Sequence, residues 1–201
     1  MFTMSLYSAV LFVHISSAIA LIGGSLVAPH IRRLVAEART VAELETGLLL
    51  ARRAAKFSPL LAIVLLATGL YMGSLGWWRQ PWFLVAVVGW CVNFLLAKLV
   101  VKRTAATIAQ VAFQNREGLS ERVDQLRRSP GWTIAGRVML AVDFSLLFLM
   151  LNKPGLAGSA IVVGVAIAAL VAPCVARLTP TRSAMNAHMS VASAMRSTVD
   201  M

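Results

Sequence analysis

Acidic side chains and cysteines are scarce in this chain. Its 201 residues include 8 Asp and Glu against 19 Lys and Arg, and only two cysteines. Cys91 and Cys174 fall in different apolar segments, so we expect them to pack as small apolar residues rather than to form a disulfide. P-loop, Rossmann, HExxH and CxxC motifs and a catalytic triad are also missing. Nucleotide-driven chemistry and nucleophilic hydrolysis therefore have no supporting residues, and any enzymatic chemistry would belong to a bound cofactor.

Apolar sequence is what the chain has in excess. Apolar residues make up 59% of the chain, whereas soluble domains contain about 45–50%. Runs of roughly 20 apolar residues are long enough to cross a bilayer. We predict an all-α, polytopic transmembrane helical bundle of five spans, forming one domain over residues 1–178 and followed by a mobile cytoplasmic tail over 179–201. The predicted spans are residues 6–29, 57–77, 82–101, 131–151 and 155–178.

Basic residues are concentrated in two long connections, residues 30–56 and 102–128, whereas the short turns carry only Arg79 and Lys153. This alternation follows the positive-inside rule. It predicts a multi-pass protein of the cell inner (cytoplasmic) membrane, with the N-terminus outside and the C-terminus inside. The positive charge is then suited to anionic lipid of the bilayer, and we do not expect nucleic acid as a partner.

The connection over residues 31–55 has apolar residues at helical spacing among its charges. This pattern predicts either an amphipathic helix at the membrane interface or cytoplasmic extensions of the first two spans. In the second span, Gly69 and Gly73 form a small-xxx-small pair, which indicates close helix packing within the bundle. Trp77, Trp78 and Trp82 are predicted to anchor the outer interface.

His14 is the most informative residue, because it is a lone imidazole in the uncharged first span. A polar or ionisable group at that depth costs several kcal/mol unless it is paired, ligated or hydrated, so it marks a candidate site. Counting about 1.5 Å per residue from the outer boundary places Asp143, Asn93 and Thr68 within about one helical turn of the level of His14. We therefore predict one shared polar site centred on His14 and Asp143, with Asn93 beside them.

The residues alone leave the role of this site open. His14 could ligate haem or a metal ion, carry a proton, or form a structural hydrogen bond. Asp143 could orient His14 or share its proton, and Asn93 could face a ligand or join helices. A second metal ligand could come from Met72, from Met139 or from the His14 of a second subunit.

Two further histidines carry weaker signals. His30 follows the first apolar run beside several arginines and is expected to be solvated at the inner interface. His188 lies in the tail between Met185 and Met189. Thioethers and imidazole together suit Cu(I), so this group is a second, weaker candidate for copper.

Three stretches of the chain resemble a known superfamily of small helical membrane proteins. The first runs from His14 through Gly24 to Pro29 and the arginines after it. The second is the Lys56-Phe57-Ser58-Pro59 stretch leading to Thr68-Gly69, and the third begins at Arg137 and ends in Lys153-Pro154. In order and spacing they resemble HemJ-type protoporphyrinogen oxidases and copper-resistance D (CopD) membrane domains, and most of all an uncharacterised branch of predicted integral membrane proteins.

The resemblance implies that His14 binds haem b, with copper as the alternative metal, and that Asp143 and Asn93 surround this cofactor. The implied function is redox or cofactor handling, with a membrane redox partner or a homo-oligomer. Two other classes of function stay open beside it. The protein could be a transporter component with a His14–Asp143 proton or metal site, or a non-catalytic membrane subunit whose polar residues only join helices.

Overall fold

The computed structural model describes residues 5–114 and 120–178, and every element in these two ranges is helical. The predicted tail over 179–201, with His188, lies outside the described residues. Five helical stretches are long and apolar enough to cross a membrane, which confirms the prediction of an all-α bundle with five spans. The α-helices are α1 Leu6–Glu37, α2 Val41–Ala54, α3 Ser58–Ser74, α4 Pro81–Leu96, α5 Arg103–Gln114, α6 Glu121–Arg127, α7 Pro130–Asn152 and α8 Leu156–Leu178, and a π-helical segment Ala97–Lys102 joins α4 to α5.

Local sequence explains where several helices begin. Prolines lie in the first turn of α3, α4 and α7, where the fixed backbone angle suits a helix and the missing N–H is not needed. The start of α2 has a complete capping box, in which Thr40 and Glu43 each accept from the backbone N–H of the other. Short turns then reverse the chain between α3 and α4 and between α7 and α8.

The up-and-down course of the helices gives the bundle two distinct ends. The His14 end contains the start of α1, the end of α3, the start of α4 and the α7–α8 turn. The basic end contains the end of α1, all of α2, α5 and α6, and the start of α7. We use these two names below because they describe positions in the bundle without reference to a side of the membrane.

The first helix is longer than the predicted first span. That span was expected to end at Pro29, but α1 continues through it to Glu37. The extension is stable because Val35 and Ala38 are buried in a cluster with residues of α2, α5, α6 and α7. Residues 31–37 therefore extend the first span, whereas residues 41–54 form the separate helix α2. The buried members of this basic-end cluster are Val35, Ala38, Leu44, Ile108, Ala112, Val123 and Trp132.

The small-xxx-small pair of α3 serves packing inside the bundle, as predicted. A Cβ atom added to Gly69 would lie 3.2 Å from Cε1 of His14 on α1. A Cβ atom added to Gly73 would collide with the ring of Phe83 on α4. The two glycines thus let one histidine and one phenylalanine approach the backbone of α3, and they fix the position of the His14 ring.

Candidate functional site

His14 is held by α3 in a defined orientation. Its Nδ1 atom lies 2.9 Å from the Thr68 hydroxyl oxygen, and the ring is 7% exposed. The Thr68 hydroxyl itself donates to the carbonyl oxygen of Val64 at 2.7 Å, so its single proton is already used. With the hydroxyl proton directed to Val64, the Thr68 oxygen accepts from Nδ1 of His14, and in that tautomer the Nε2 lone pair is the one left for a ligand.

A small cavity lies beside the His14 ring. Its volume is about 10 Å³, roughly the space that one water molecule or one small ion requires. Two thioethers line it together with the imidazole: Met72, which is buried, and Met150, which is 38% exposed. The other lining residues are Gly69, Trp77, Trp82 and Phe83.

Aromatic rings form the wall of this cavity at the His14 end. Trp82 contacts both Trp77 and Phe83, with ring centroids 5.6 and 5.8 Å apart. Lys153 ends α7 in a left-handed backbone conformation and places its ammonium group 4.9 Å from the centre of the Trp77 ring. Trp82 was predicted to anchor the interface, but it is 3% exposed. It belongs to the inside of the bundle because α4 turns it towards α3 and α7.

Asp143 forms a second polar group at a different level of the bundle. Its Oδ2 accepts from the Ser25 hydroxyl at 2.5 Å, and its Oδ1 accepts from the Asn93 amide at 2.6 Å. The Asn93 amide also donates to the carbonyl oxygen of Met139 at 3.2 Å. Both amide protons of Asn93 and both carboxylate oxygens of Asp143 are thereby engaged. This network joins α1, α4 and α7. It includes a direct hydrogen bond between Asp143 and Asn93, which were predicted to be neighbours.

The prediction of one shared site for His14 and Asp143 is therefore wrong. Asp143 binds Ser25, which lies eleven residues after His14 on α1. Eleven residues of helix correspond to about 16 Å along the axis. The depth count placed Thr68 correctly beside His14, but it failed for Asp143 and Asn93 because it placed the outer ends of all spans at one level. In the structure, His14 lies level with the first turn of α4 and the last turn of α7.

Several residues of the two groups were not predicted, although some left a signal in the sequence. Ser25 lies on the same face of α1 as His14, because eleven residues make close to three full turns. Met150 likewise shares a face of α7 with Asp143, seven residues away. Of the two methionines considered as further ligands, Met72 lines the His14 cavity. Met139 instead contributes its carbonyl oxygen to the Asn93 network.

The remaining candidates are distant from both groups. His30 is exposed at the basic end. A wider groove of about 670 Å³ opens there between Glu37, Arg39 and Arg128, and its charged lining offers neither imidazole nor thioether. Across residues 5–114 and 120–178, no three His, Cys, Asp or Glu side chains gather as a metal-binding group. The His14 cavity brings one imidazole and two thioethers together.

Comparison with known proteins supports the membrane setting of these sites. The model of a protein family described as "Predicted integral membrane protein (DUF2269)" matches residues 8–154. The match covers most of the chain and includes His14, Met72, Asp143 and Met150. No curated protein and no solved structure matches the chain. The family description names a location and no activity, so the resemblance to HemJ-type and CopD proteins stays a prediction.

Proposed function

Since the chain belongs to the DUF2269 family of predicted integral membrane proteins, we propose that it handles copper within the bilayer, with a single Cu(I) ion held at the His14 cavity. His14 would supply Nε2, and Met72 and Met150 would supply thioether sulfurs. Imidazole and thioether are ligands that suit Cu(I). The proposal is finer than the family assignment, which establishes a membrane protein and leaves its ligand open.

The observation that carries the proposal is the contact between Nδ1 of His14 and the Thr68 hydroxyl. We assign the shared proton to Nδ1, because the Thr68 hydroxyl donates to the carbonyl oxygen of Val64. A hydrogen bond that fixes the other ring nitrogen is the usual arrangement for a metal-binding histidine. It orients Nε2 and keeps the lone pair free for a ligand. Thr68 is thus a positioning residue, and Gly69 allows the ring to lie against α3.

The size of the cavity favours copper over haem b, the other cofactor suggested by the sequence. A porphyrin-sized ligand needs a pocket of several hundred Å³, whereas the cavity measures about 10 Å³. Haem b does not fit between these helices as they are packed, so we derive no role for His14 through haem. A single ion fits, and the donor set is soft, which favours the copper alternative.

The surrounding residues suit a monovalent, weakly hydrated ion. Trp77, Trp82 and Phe83 line the cavity, and the faces of aromatic rings attract cations. Asp143, the nearest described carboxylate along α7, is engaged by Ser25 and Asn93. No carboxylate oxygen therefore competes for the ion, which disfavours hard divalent cations. When bound, copper supplies a one-electron couple or is itself the cargo.

Copper binding is tested by Cu(I) titration of the purified full-length protein in mild detergent, against a chromophoric Cu(I) chelator. We expect one strongly bound ion in the wild type. The affinity should fall by about tenfold or more in His14→Ala, since loss of partners that merely orient metal ligands already costs 10–100-fold. Met72→Leu, which replaces a thioether with an apolar side chain of similar size, should give a loss of the same order.

Two histidine variants are matched controls. His30→Ala removes the exposed imidazole of the basic end, and His188→Ala removes the tail imidazole that lies outside the described residues. Both should bind copper as the wild type does. Unchanged affinity in both His14→Ala and Met72→Leu would refute the proposal, and so would loss of the ion in His188→Ala alone.

A further inference from the structure

Two arginines at the basic end lie close together without a carboxylate between them. Arg32 on α1 and Arg137 on α7 are both half-buried, and the guanidinium group of Arg32 lies against Gly136, the residue next to Arg137. Arg137 donates one Nη1–H to the carbonyl oxygen of Leu170 at 3.1 Å. Among the described residues, Arg32 makes neither an ion pair nor a hydrogen bond. Paired positive charges away from bulk water require a counterion.

The position of Arg32 is set by a glycine on the neighbouring helix. Its guanidinium group lies against Gly136, where an added Cβ atom would collide with Cζ and both Nη atoms. The adjacent Arg33 is different, because it is exposed and forms an ion pair with Glu37 at 2.8 Å. Two consecutive arginines therefore have opposite environments, and only Arg32 is inserted between helices.

Three of the described carboxylates are committed to other partners. Glu37 binds Arg33, and Asp124 binds Arg127 at 2.6 Å. Asp143, on the same helix as Arg137, is engaged by the network at the middle of the bundle. Glu43, Glu45 and Glu121, the other carboxylates of residues 5–114 and 120–178, are exposed, and no described acid forms an ion pair with Arg32 or Arg137. An anion from outside this part of the chain can therefore serve as their counterion.

Two further features indicate what this anion is. Arg32 follows Pro29, where the uncharged run of α1 ends, so it lies about where lipid phosphates begin. Trp132, one turn before Gly136 on α7, is 5% exposed, and its Nε1–H has no acceptor in the described structure. An unused donor and two guanidinium groups thus occur within a short stretch of the α1–α7 interface.

We propose that Arg32 and Arg137 bind a phosphate group between α1 and α7, as carried by an anionic phospholipid headgroup or by free phosphate. The planar guanidinium presents paired N–H donors that match the oxygen atoms of a phosphate. Basic pockets between transmembrane helices are known to hold anionic headgroups. The proposal is independent of copper binding, because the two sites use different residues at opposite ends of the bundle.

The site is tested by native mass spectrometry and thermal shift on the delipidated full-length protein in mild detergent. The probes are dioleoyl phosphatidylglycerol, dioleoyl phosphatidylcholine and inorganic phosphate, each added alone. We expect Arg32→Gln to weaken binding of the anionic probe that the wild type binds, phosphatidylglycerol or inorganic phosphate, by about tenfold. Arg33→Gln removes the same charge from the neighbouring position and should change binding by less than about twofold, because surface pairs contribute little.

A second variant separates geometry from charge. Gly136→Ala keeps every arginine but displaces the Arg32 guanidinium, so it should weaken binding although the net charge is unchanged. It also gives an answer if Arg32→Gln does not fold. Binding of phosphatidylglycerol without a response to inorganic phosphate assigns the site to lipid. A phosphate response that Arg32→Gln abolishes assigns it to free phosphate, and either result supports the site.

Three results would overturn this inference. Equal losses in Arg32→Gln and Arg33→Gln would mean that only overall charge matters. Equal binding of zwitterionic phosphatidylcholine and anionic phosphatidylglycerol, with no effect of inorganic phosphate, would mean that the protein does not select an anion. Wild-type binding in both Arg32→Gln and Gly136→Ala would show that the anion binds elsewhere.

Discussion

Replacement of Arg127 by alanine is expected to lower the free energy of unfolding of the protein by about 3 kcal/mol. Arg127 is 5% exposed, although it comes from a short, highly charged helix. Its Nη1 donates to the carbonyl oxygens of Val35 and Ala38, which are left without partners at the end of α1. Its Nε donates to Asp124 at 2.7 Å.

The loss is large because these carbonyl groups lie beside the basic-end cluster. Buried backbone acceptors that lose their donor cost about 1–3 kcal/mol each, and the aliphatic part of the arginine also loses its packing. For a chain of this size, 3 kcal/mol corresponds to a fall in Tm of about 6–12 °C. Thermal unfolding in detergent, followed by circular dichroism, measures it. Arg128→Ala, the exposed neighbour, should stay within about 2 °C, and an equal fall in both variants would contradict the account.

Replacement of Gly73 by valine is the second change with a large expected effect, about 2–3 kcal/mol of stability. A Cβ atom at this position collides with the ring of Phe83. That ring cannot move aside, because Trp78 and Trp82 contact it with centroids 5.6 and 5.8 Å away. Since Phe83 also lines the His14 cavity, we expect the variant to weaken Cu(I) binding as well.

A matched glycine variant and a double variant test this explanation. Gly164 lies in α8 with nothing within 4 Å of an added Cβ atom, so Gly164→Val introduces the same side chain without a collision. It should leave Tm within about 2 °C of the wild type. The double variant Gly73→Val with Phe83→Ala should lose less stability than the two single variants added together. The space left by the Phe83 ring accommodates the side chain introduced at position 73. If the two losses of stability simply add, the side chain introduced at position 73 does not collide with Phe83.

The five spans were predictable because an apolar run of about 20 residues has few alternatives to a transmembrane helix. His14, Asp143 and Asn93 were predictable as buried polar residues for the same reason: each stands out in an apolar run. Their partners were not predictable in this way. A hydrogen bond between helices depends on relative height and rotation, and a shift of about 16 Å separates the level of His14 from that of Ser25.

The basic end was harder to predict than the spans. Val35 and Leu44 occur among charged residues, and their burial requires α2, α5 and α6 to come together, which no local pattern specifies. Arg127 and Arg32 look like ordinary members of basic connections. Arg127 is buried where it binds two carbonyl groups at the end of α1. Arg32 is half-buried where it lies against Gly136. Such contacts are properties of the assembled helices rather than of any segment.

The His14 cavity and the Asp143 network are separate groups, and we propose that only the first binds metal. The most direct test measures Cu(I) affinity in His14→Ala and Asp143→Asn in the same titration. Asp143→Asn keeps the size of the side chain and removes its charge from the Ser25 and Asn93 network. We predict that Asp143→Asn binds Cu(I) within about twofold of the wild type, while His14→Ala loses about tenfold or more. A comparable loss in Asp143→Asn, or retention of copper in His14→Ala, would contradict the account.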